Sequence, residues 1–479
     1  MNKHHGMKGL SGLEKLCEPG VQRSDRFGRL FPELPPLYTN PESLIAISVG
    51  GGPMQQQGSA KKTDEVAVGQ VFFGQFIDHD LTLDLTSSFE RLNDAQATTN
   101  FRTPTLDLDC IYGDGPEGSP FLYFNLPDSD PNSSFNGIKL LTGADMAGAT
   151  PEQAEDLLRN ANGTAIIGDP RNDENRVISQ LQLAVIRVHN RVVDILAGSS
   201  SPSHELFEEA RRVTTWLYQW VIIHDFLPAM TGQAVVDDIL GNGRKIYMAH
   251  CEEGDEPFIP VEFSVAAYRF GHSMIPQRIQ VQPGKPAVDV FGPSLGQGFS
   301  PLPSLDAAVN WTQVLDLSDP KVDRADQLDI EMAKDLLALP FVNGTPAEKS
   351  LATRNLLRGQ AFRLPSGEQI AKVCERHQSE IDSVSARAET LAQQVGVSLA
   401  SGTPFWLYLL AEAQVVGRES TPGQFKQGEG LGPVGGRLVA ETIIGIMELD
   451  HEAFLGSNRR WTPSEDGFNV TGLLDLLTL

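Results

Sequence analysis

Apolar positions along the chain recur at helical rather than strand spacing. Over residues 66–76 nearly every position is apolar, the mark of a helix buried on all sides. Over 175–196, Ile178, Leu181, Val185, Val188, Val192 and Ile195 follow one another at three to four residues, and Gly198 supplies the stop. Comparable spacing predicts helices over 206–227, 263–274, 367–391 and 435–447. Strand signals are short, as at 278–281, and the Gly- and Pro-rich stretch 283–303 reads as a long surface loop. Near the start, Pro32, Pro35, Pro36 and Pro41 break the pattern and Gly50-Gly51-Gly52-Pro53 closes it. Residues 1–55 are therefore expected to form an irregular arm, and 56–479 one large, mainly α domain with long loops and little β. No internal repeat or interdomain linker interrupts that domain.

Composition narrows the partners. A chain of 479 residues, 40% hydrophobic, can bury a large core, and its net charge of −24 repels nucleic acid and anionic membrane alike. No window approaches the roughly 20 apolar residues that span a bilayer. Met1-Asn2-Lys3-His4-His5-Gly6 leads into no apolar core of a secretory signal. The expected location is cytoplasmic, or outside the cell by a route without a Sec signal. Cys17, Cys110, Cys251 and Cys374 are scattered and form no CxxC pair, which argues against zinc and against a disulfide scaffold.

Four segments carry residues that an apolar core does not explain. Phe72-Phe73-Gly74-Gln75-Phe76-Ile77-Asp78-His79-Asp80 ends a buried helix on two carboxylates and an imidazole. Helix positions turn about 100° per residue, so Asp78 and Asp80 need different partners unless the helix simply emerges into solvent there. Thr103-Pro104-Thr105-Leu106-Asp107-Leu108-Asp109 alternates oxygen-bearing side chains. That suits a hard cation such as calcium, with Asp80 as a third carboxylate, although acidic loops are more often merely solvated. It lacks the spacing of an EF-hand. Gly168-Asp169-Pro170-Arg171-Asn172-Asp173-Glu174-Asn175 precedes the long helix, where capping alone accounts for the acids. In Tyr268-Arg269-Phe270-Gly271-His272 an imidazole sits in an apolar run beside a glycine that would admit a flat group. A lone histidine of this kind is usually a satisfied core residue, but neutral imidazole is also the commonest metal ligand.

Together, in this order, the four segments resemble the animal-type haem peroxidases of the peroxidase–cyclooxygenase superfamily, in a short form of bacterial appearance, over roughly residues 55–455. The resemblance implies a mainly α fold, haem b and Ca2+. His79 then matches the distal histidine, Arg171 the distal arginine, and Gln75 the glutamine associated with halide or water binding. Asp78 and Glu174 fall where family members form ester links to haem methyl groups. Asp80, Thr103, Thr105, Asp107 and Asp109 are similar to the calcium loop, with Thr105 offering either its carbonyl or its hydroxyl. His272 matches the proximal iron ligand and Arg269 a partner of a haem propionate. In Arg354-Asn355-Leu356-Leu357-Arg358, Asn355 resembles the acceptor for the proximal imidazole N–H and Arg358 a second propionate partner. Asn175 stands where some members carry a methionine with a third, sulfonium link, so none is expected.

The implied activity is reduction of hydrogen peroxide at the expense of a small donor, halide, thiocyanate or phenol. His79 would serve as general base and then general acid, a task suited to a group titrating near neutrality. Arg171 would stabilise the charge of the breaking O–O bond. Two other functions are carried beside it. A fatty-acid dioxygenase is disfavoured because Arg269 occupies the position where cyclooxygenases place a radical tyrosine. A haem-bearing adhesion protein is disfavoured by the absence of Arg-Gly-Asp and by the intact His79–Arg171 pair. Oligomeric state is not legible.

Overall fold

The computed structural model describes residues 27–83, 93, 98, 100–198, 204–248, 256–296 and 298–479. Cys17 and Cys251 lie outside them, while Cys110 and Cys374 are free thiols. The architecture is mainly α, with strands confined to two-stranded pairings among the described residues. Seven helices frame the interior: α1 (Val68–Leu81), α2 (Arg176–Ala197), α3 (His204–Val221), α4 (Leu351–Ala361), α5 (Gln378–Gln393), α6 (Phe405–Val415) and α7 (Pro433–Leu449).

Helix α1 lies in the middle of the core, packed on α2, on the short helix Trp311–Leu315 and on the segment Ala267–Met274. Its apolar surface all round is what such a position demands. Phe73 and Phe76 meet Tyr218 of α3 edge to face, with ring centroids 5.8 and 6.0 Å apart. A buried aromatic of this kind is worth about 3–5 kcal/mol against alanine. Gly69 is required by close packing, since a Cβ there would stand 2.7 Å from Leu315 Cδ2. Helix α2 begins where Asn175 Oδ1 accepts the Ile178 N–H at 3.0 Å and ends at Gly198, whose φ of 50° is left-handed.

Three expectations change in detail. Residues 27–55 are not irregular throughout, because Pro41–Ser48 is a helix capped by Asn40, with Leu44 and Ile47 buried against the core. The stretch 367–391 is two helices, Gly367–Val373 and α5, parted at the left-handed Glu375; no glycine or proline marks the break. The stretch 263–274 is not an α-helix. Glu262–Ala266 is a wide π turn and Ala267–Met274 a tight 3-10 run, joined at Ala266 with φ −130° and ψ −68°. Apolar spacing alone does not separate these windings from an α-helix. A second π turn, Ile222–Phe226, continues α3 up to Pro228, which cannot donate to the carbonyl one turn back.

The predicted loop 283–303 contains the strand Val288–Asp289, which pairs antiparallel with Arg278–Ile279. Its far end is fastened to the segment before α2. Phe299 donates its N–H to the Asp173 carbonyl at 2.6 Å, and Arg176 donates its own to Leu295 O at 2.8 Å. Gly298 lies so close to this segment that a Cβ would fall 2.0 Å from the Glu174 carbonyl oxygen.

Candidate functional site

On α1, which is otherwise buried, Gly74, Gln75 and Asp78 are the partly exposed positions of the run 68–80. Spaced i, i+1 and i+4, they form one stripe. His79 stands beside the stripe and is 5% exposed. Its Nδ1 lies 2.6 Å from Asn172 Oδ1, and its Nε2 lies 3.9 Å from a carboxylate oxygen of Glu174. Arg171 donates to the His79 carbonyl at 2.8 Å and is gripped by Asp169 through Nε and Nη2, the latter at 2.7 Å. Gln75 donates its amide to Glu174 and accepts from Asn175 Nδ2 at 3.4 Å. The structure thus brings His79, Arg171, Gln75 and Glu174 together in one cluster beside the partly exposed stripe of α1.

Electrostatics set the protonation states there. Burial, and then the Arg171 guanidinium, push His79 down to about 4, so it is neutral at pH 7 rather than titrating near neutrality. Burial raises the Glu174 carboxyl to about 7 against the opposing pull of Arg171. Asp169 goes the other way: burial would raise it, but Arg171 and Arg102 hold it well below the usual carboxylate range.

The second group lies on the segment against which α1 packs. Gly271 approaches Val71 of α1, and the Asp78 charge raises the buried Tyr268 phenol further after burial itself has done so. His272 and Gly271 are partly exposed on the Ala267–Met274 run. Burial, followed by the charges of Arg269 and Arg354, lowers His272 to about 3, leaving a neutral imidazole. Its Nδ1 faces the Asn355 amide nitrogen at 2.9 Å, while Asn355 Oδ1 is buried without a hydrogen-bond partner. A half-turn of that amide would give Nδ1–H an acceptor and leave Nε2 a bare lone pair, the arrangement a metal-bound imidazole requires. The orphaned oxygen and the neutral ring therefore fit a haem. Arg269 donates Nε to Ser264 O at 2.9 Å, and Arg358, one turn after Asn355 on α4, lies over the Phe362 ring.

The third group is the alternating loop. Asp80, Asp107 and Asp109 each offer an oxygen within 4.8 Å of the others'. Thr103 and Thr105 donate their hydroxyls to Asp107 at 3.0 and 2.9 Å. Asp80 is fully buried, and its Oδ1 has no hydrogen-bond partner. Burial, then the charges of Asp109 and Asp107, raise its carboxyl well above the ordinary range. Three clustered carboxylates, one of them with an orphaned oxygen, are donors of the kind a hard cation takes. A cleft of about 720 Å³, lined in part by Thr105 and Asp107, opens this loop to solvent.

Sequence reasoning passed over Asn172, Asp169, Gln182, Arg354 and Arg102. Asn172 and Asp169 sit in a motif already singled out, and Arg102 directly precedes Thr103, but nothing local distinguishes a buried partner from a surface residue.

The profile of animal haem peroxidases matches residues 86–375, more than half of the chain. The match includes Arg171, His272 and Asn355 and begins after α1. Thyroid peroxidase of Canis lupus familiaris is 25% identical over 378 residues, covering 63% of this chain and 38% of that protein. Chorion peroxidase of Drosophila melanogaster is 33% identical over 118 residues, covering 24% of this chain and 15% of that protein. The chain therefore spans well under half the length of these curated relatives. Among solved structures, Peroxidase A from Dictyostelium discoideum superposes with a TM-score of 0.59 at 15% identity, over 95% of this chain and 92% of that one. The fatty acid alpha-dioxygenase of Arabidopsis thaliana has the same TM-score and identity, over 96% and 78%. At such identity the likeness is one of fold.

Proposed function

The chain belongs to the animal haem peroxidase family, and on that premise we propose that it reduces hydrogen peroxide to water while oxidising a small donor, a halide, thiocyanate or a phenol. The observation that carries this reading is the pairing of a buried, neutral His79 with Arg171, whose guanidinium reaches the His79 carbonyl at 2.8 Å. His272, backed by Asn355, would hold the iron, and Arg269 and Arg358 would meet the propionates. When bound, the haem supplies the two electrons that split the O–O bond and recovers them from the donor.

The remaining work falls to side chains. His79 takes a proton from one peroxide oxygen and returns it to the other, which departs as water. Arg171 faces the charge that develops on the departing oxygen, and Asp169 holds its planar fork in place. Gln75, tied to Glu174 and Asn175, shapes the space in which a small anion would be held. Asp78 and Glu174 are the carboxylates proposed for ester links. Asp80, Asp107 and Asp109, with Thr103 and Thr105, are proposed to hold Ca2+ and so to anchor the end of α1 that carries His79.

The fatty-acid dioxygenase reading is disfavoured, since Arg269 stands three before His272, where cyclooxygenases carry the radical tyrosine. Among the described residues no helix is long and apolar enough to cross a membrane.

The test is the absorption spectrum of the haem-loaded protein before and after one equivalent of hydrogen peroxide. A rapid change of the Soret band in the wild type, lost in His79→Ala and slowed in Arg171→Leu, is the expected result. A haem that ignores peroxide, or a protein that takes up none, would overturn the proposal.

A further inference from the structure

A chain of buried amides runs from His79 into the protein interior. Asn172 Oδ1 lies 2.6 Å from His79 Nδ1. Asn172 Nδ2 donates to Gln182 Oε1 at 2.8 Å, and Gln182 Nε2 donates to the Cys110 carbonyl at 2.9 Å. Asn172 and Gln182 are fully buried, so neither amide can turn to water for an alternative partner.

The direction of this chain is dictated from its far end. A main-chain carbonyl can only accept, so Gln182 must present its NH2 to Cys110 and its oxygen to Asn172. Asn172 must then present its own NH2 to Gln182, which leaves its oxygen for the imidazole. An oxygen at 2.6 Å from Nδ1 accepts a proton, so Nδ1 carries the hydrogen and Nε2 is the lone pair. Reversing any one amide sets two donors or two acceptors face to face in a dry interior, at a cost the fold avoids.

We propose that Asn172 and Gln182 are positioning residues that lock His79 in the tautomer whose Nε2 can accept a proton, with the Cys110 carbonyl as the fixed end. The proposal rests on the reading of His79 as proton acceptor. It adds that a residue touching neither peroxide nor haem decides whether His79 can act. Gln182 makes the sharp case, because removing it lets the Asn172 amide turn over and offer a donor to His79, with Asn172 itself still present.

The first readout needs no variant and no haem. In the apoprotein labelled with nitrogen-15 histidine, with the signal assigned by its loss in His79→Ala, the His79 ring is expected to show a protonated Nδ1 and a bare Nε2. A protonated Nε2 would overturn the proposal. The second readout is cyanide binding to the ferric haem-loaded protein, because hydrogen cyanide must surrender its proton to a base as it binds. Gln182→Leu and Asn172→Ala are expected to slow cyanide association on the order of 10- to 100-fold. Gln182→Glu is expected to restore it, since a buried neutral carboxyl can donate to Cys110 and accept from Asn172. Carbon monoxide binding to the ferrous protein, which moves no proton, is expected to be unchanged in all three. Loss of both ligands together, or normal cyanide binding in Gln182→Leu and Asn172→Ala while His79→Ala has lost it, would refute the positioning role. Normal cyanide binding in His79→Ala would instead remove the reading on which the proposal rests.

Discussion

Arg102 faces Asp109 across 2.6 Å in a buried ion pair, and the other arm of the same guanidinium holds Asp169. Asp169 in turn grips Arg171. The acidic loop and Arg171 are therefore rungs of one ladder of alternating charge, Asp109–Arg102–Asp169–Arg171. Arg102 is 1% exposed and offsets the charge of the buried Asp109, while Asp169 is shared between Arg102 and Arg171.

Replacing Arg102 by leucine takes the guanidinium away from the buried Asp109 and leaves Asp169 with Arg171 alone. The expected cost is about 3–5 kcal/mol of unfolding free energy, read by urea denaturation of the apoprotein. Asp169, which orients Arg171, would lose one of the two guanidiniums that hold it, so the haem-loaded variant is expected to react with peroxide more slowly. A variant as stable as the wild type would show that the ladder carries no such weight.

Calcium should stabilise the protein before any haem is added. A ligand at a hundred times its dissociation constant contributes about 2.7 kcal/mol, which moves a melting curve upward by a few degrees. Asp107→Ala is expected to abolish that response, and Asp80→Ala to lower peroxide turnover even with haem bound. If added Ca2+ leaves the wild-type melting temperature where a chelator puts it, Asp80, Asp107 and Asp109 are not a calcium site.

His189 supplies a pH dependence remote from the haem ligands. Its Nε2 donates to the Ile138 carbonyl at 2.9 Å, and its Nδ1 lies 3.1 Å from the Tyr112 hydroxyl. Burial lowers it from 6.5 to about 4. A depressed histidine contributes stability that is complete above the unfolded value of 6.5 and is lost as pH falls through about 4. That loss is on the order of 3 kcal/mol. Against the wild type, His189→Gln is expected to flatten the fall in melting temperature between pH 6.5 and 4. An unchanged slope would assign the acid sensitivity to other groups.

Denaturing extraction tests the ester links. After turnover with peroxide, haem is expected to stay with the polypeptide in acidified organic solvent. Asp78→Ala or Glu174→Ala should each leave one link, and the double variant none. Complete release from the wild type would exclude both links.

The sequence made some of this legible and concealed the rest for identifiable reasons. The apolar run at 66–76 announced α1 because a helix buried on every side has no other pattern, and Gly198 marked the end of α2, whose start is capped by Asn175 rather than by the acids before it. His79, Arg171, Glu174 and Gln75 could be named because they stand in dense local motifs, and the structure does gather them. Arg102 could not, since its partner Asp169 is 67 positions away and an isolated arginine reads as surface. Asn172 lay in plain view beside Arg171, but its role depends on Gln182 a further ten positions on. The winding of 262–274 was hidden because π, α and 3-10 turns share nearly the same apolar spacing over so few residues.

That winding carries a consequence for what the gene can tolerate. Between Glu262 and Met274 the chain passes from a wide turn to a narrow one, and the direction in which His272 leaves the backbone depends on how many residues precede it. Exchanging one small side chain for another at Ser264 leaves that count intact. Gaining or losing a single codon within the wide turn would swing everything downstream by about 100° and carry His272 away from Asn355. In this stretch a frame-preserving deletion should therefore be far more damaging than most substitutions, and descendants of this gene should differ here in spelling but not in length.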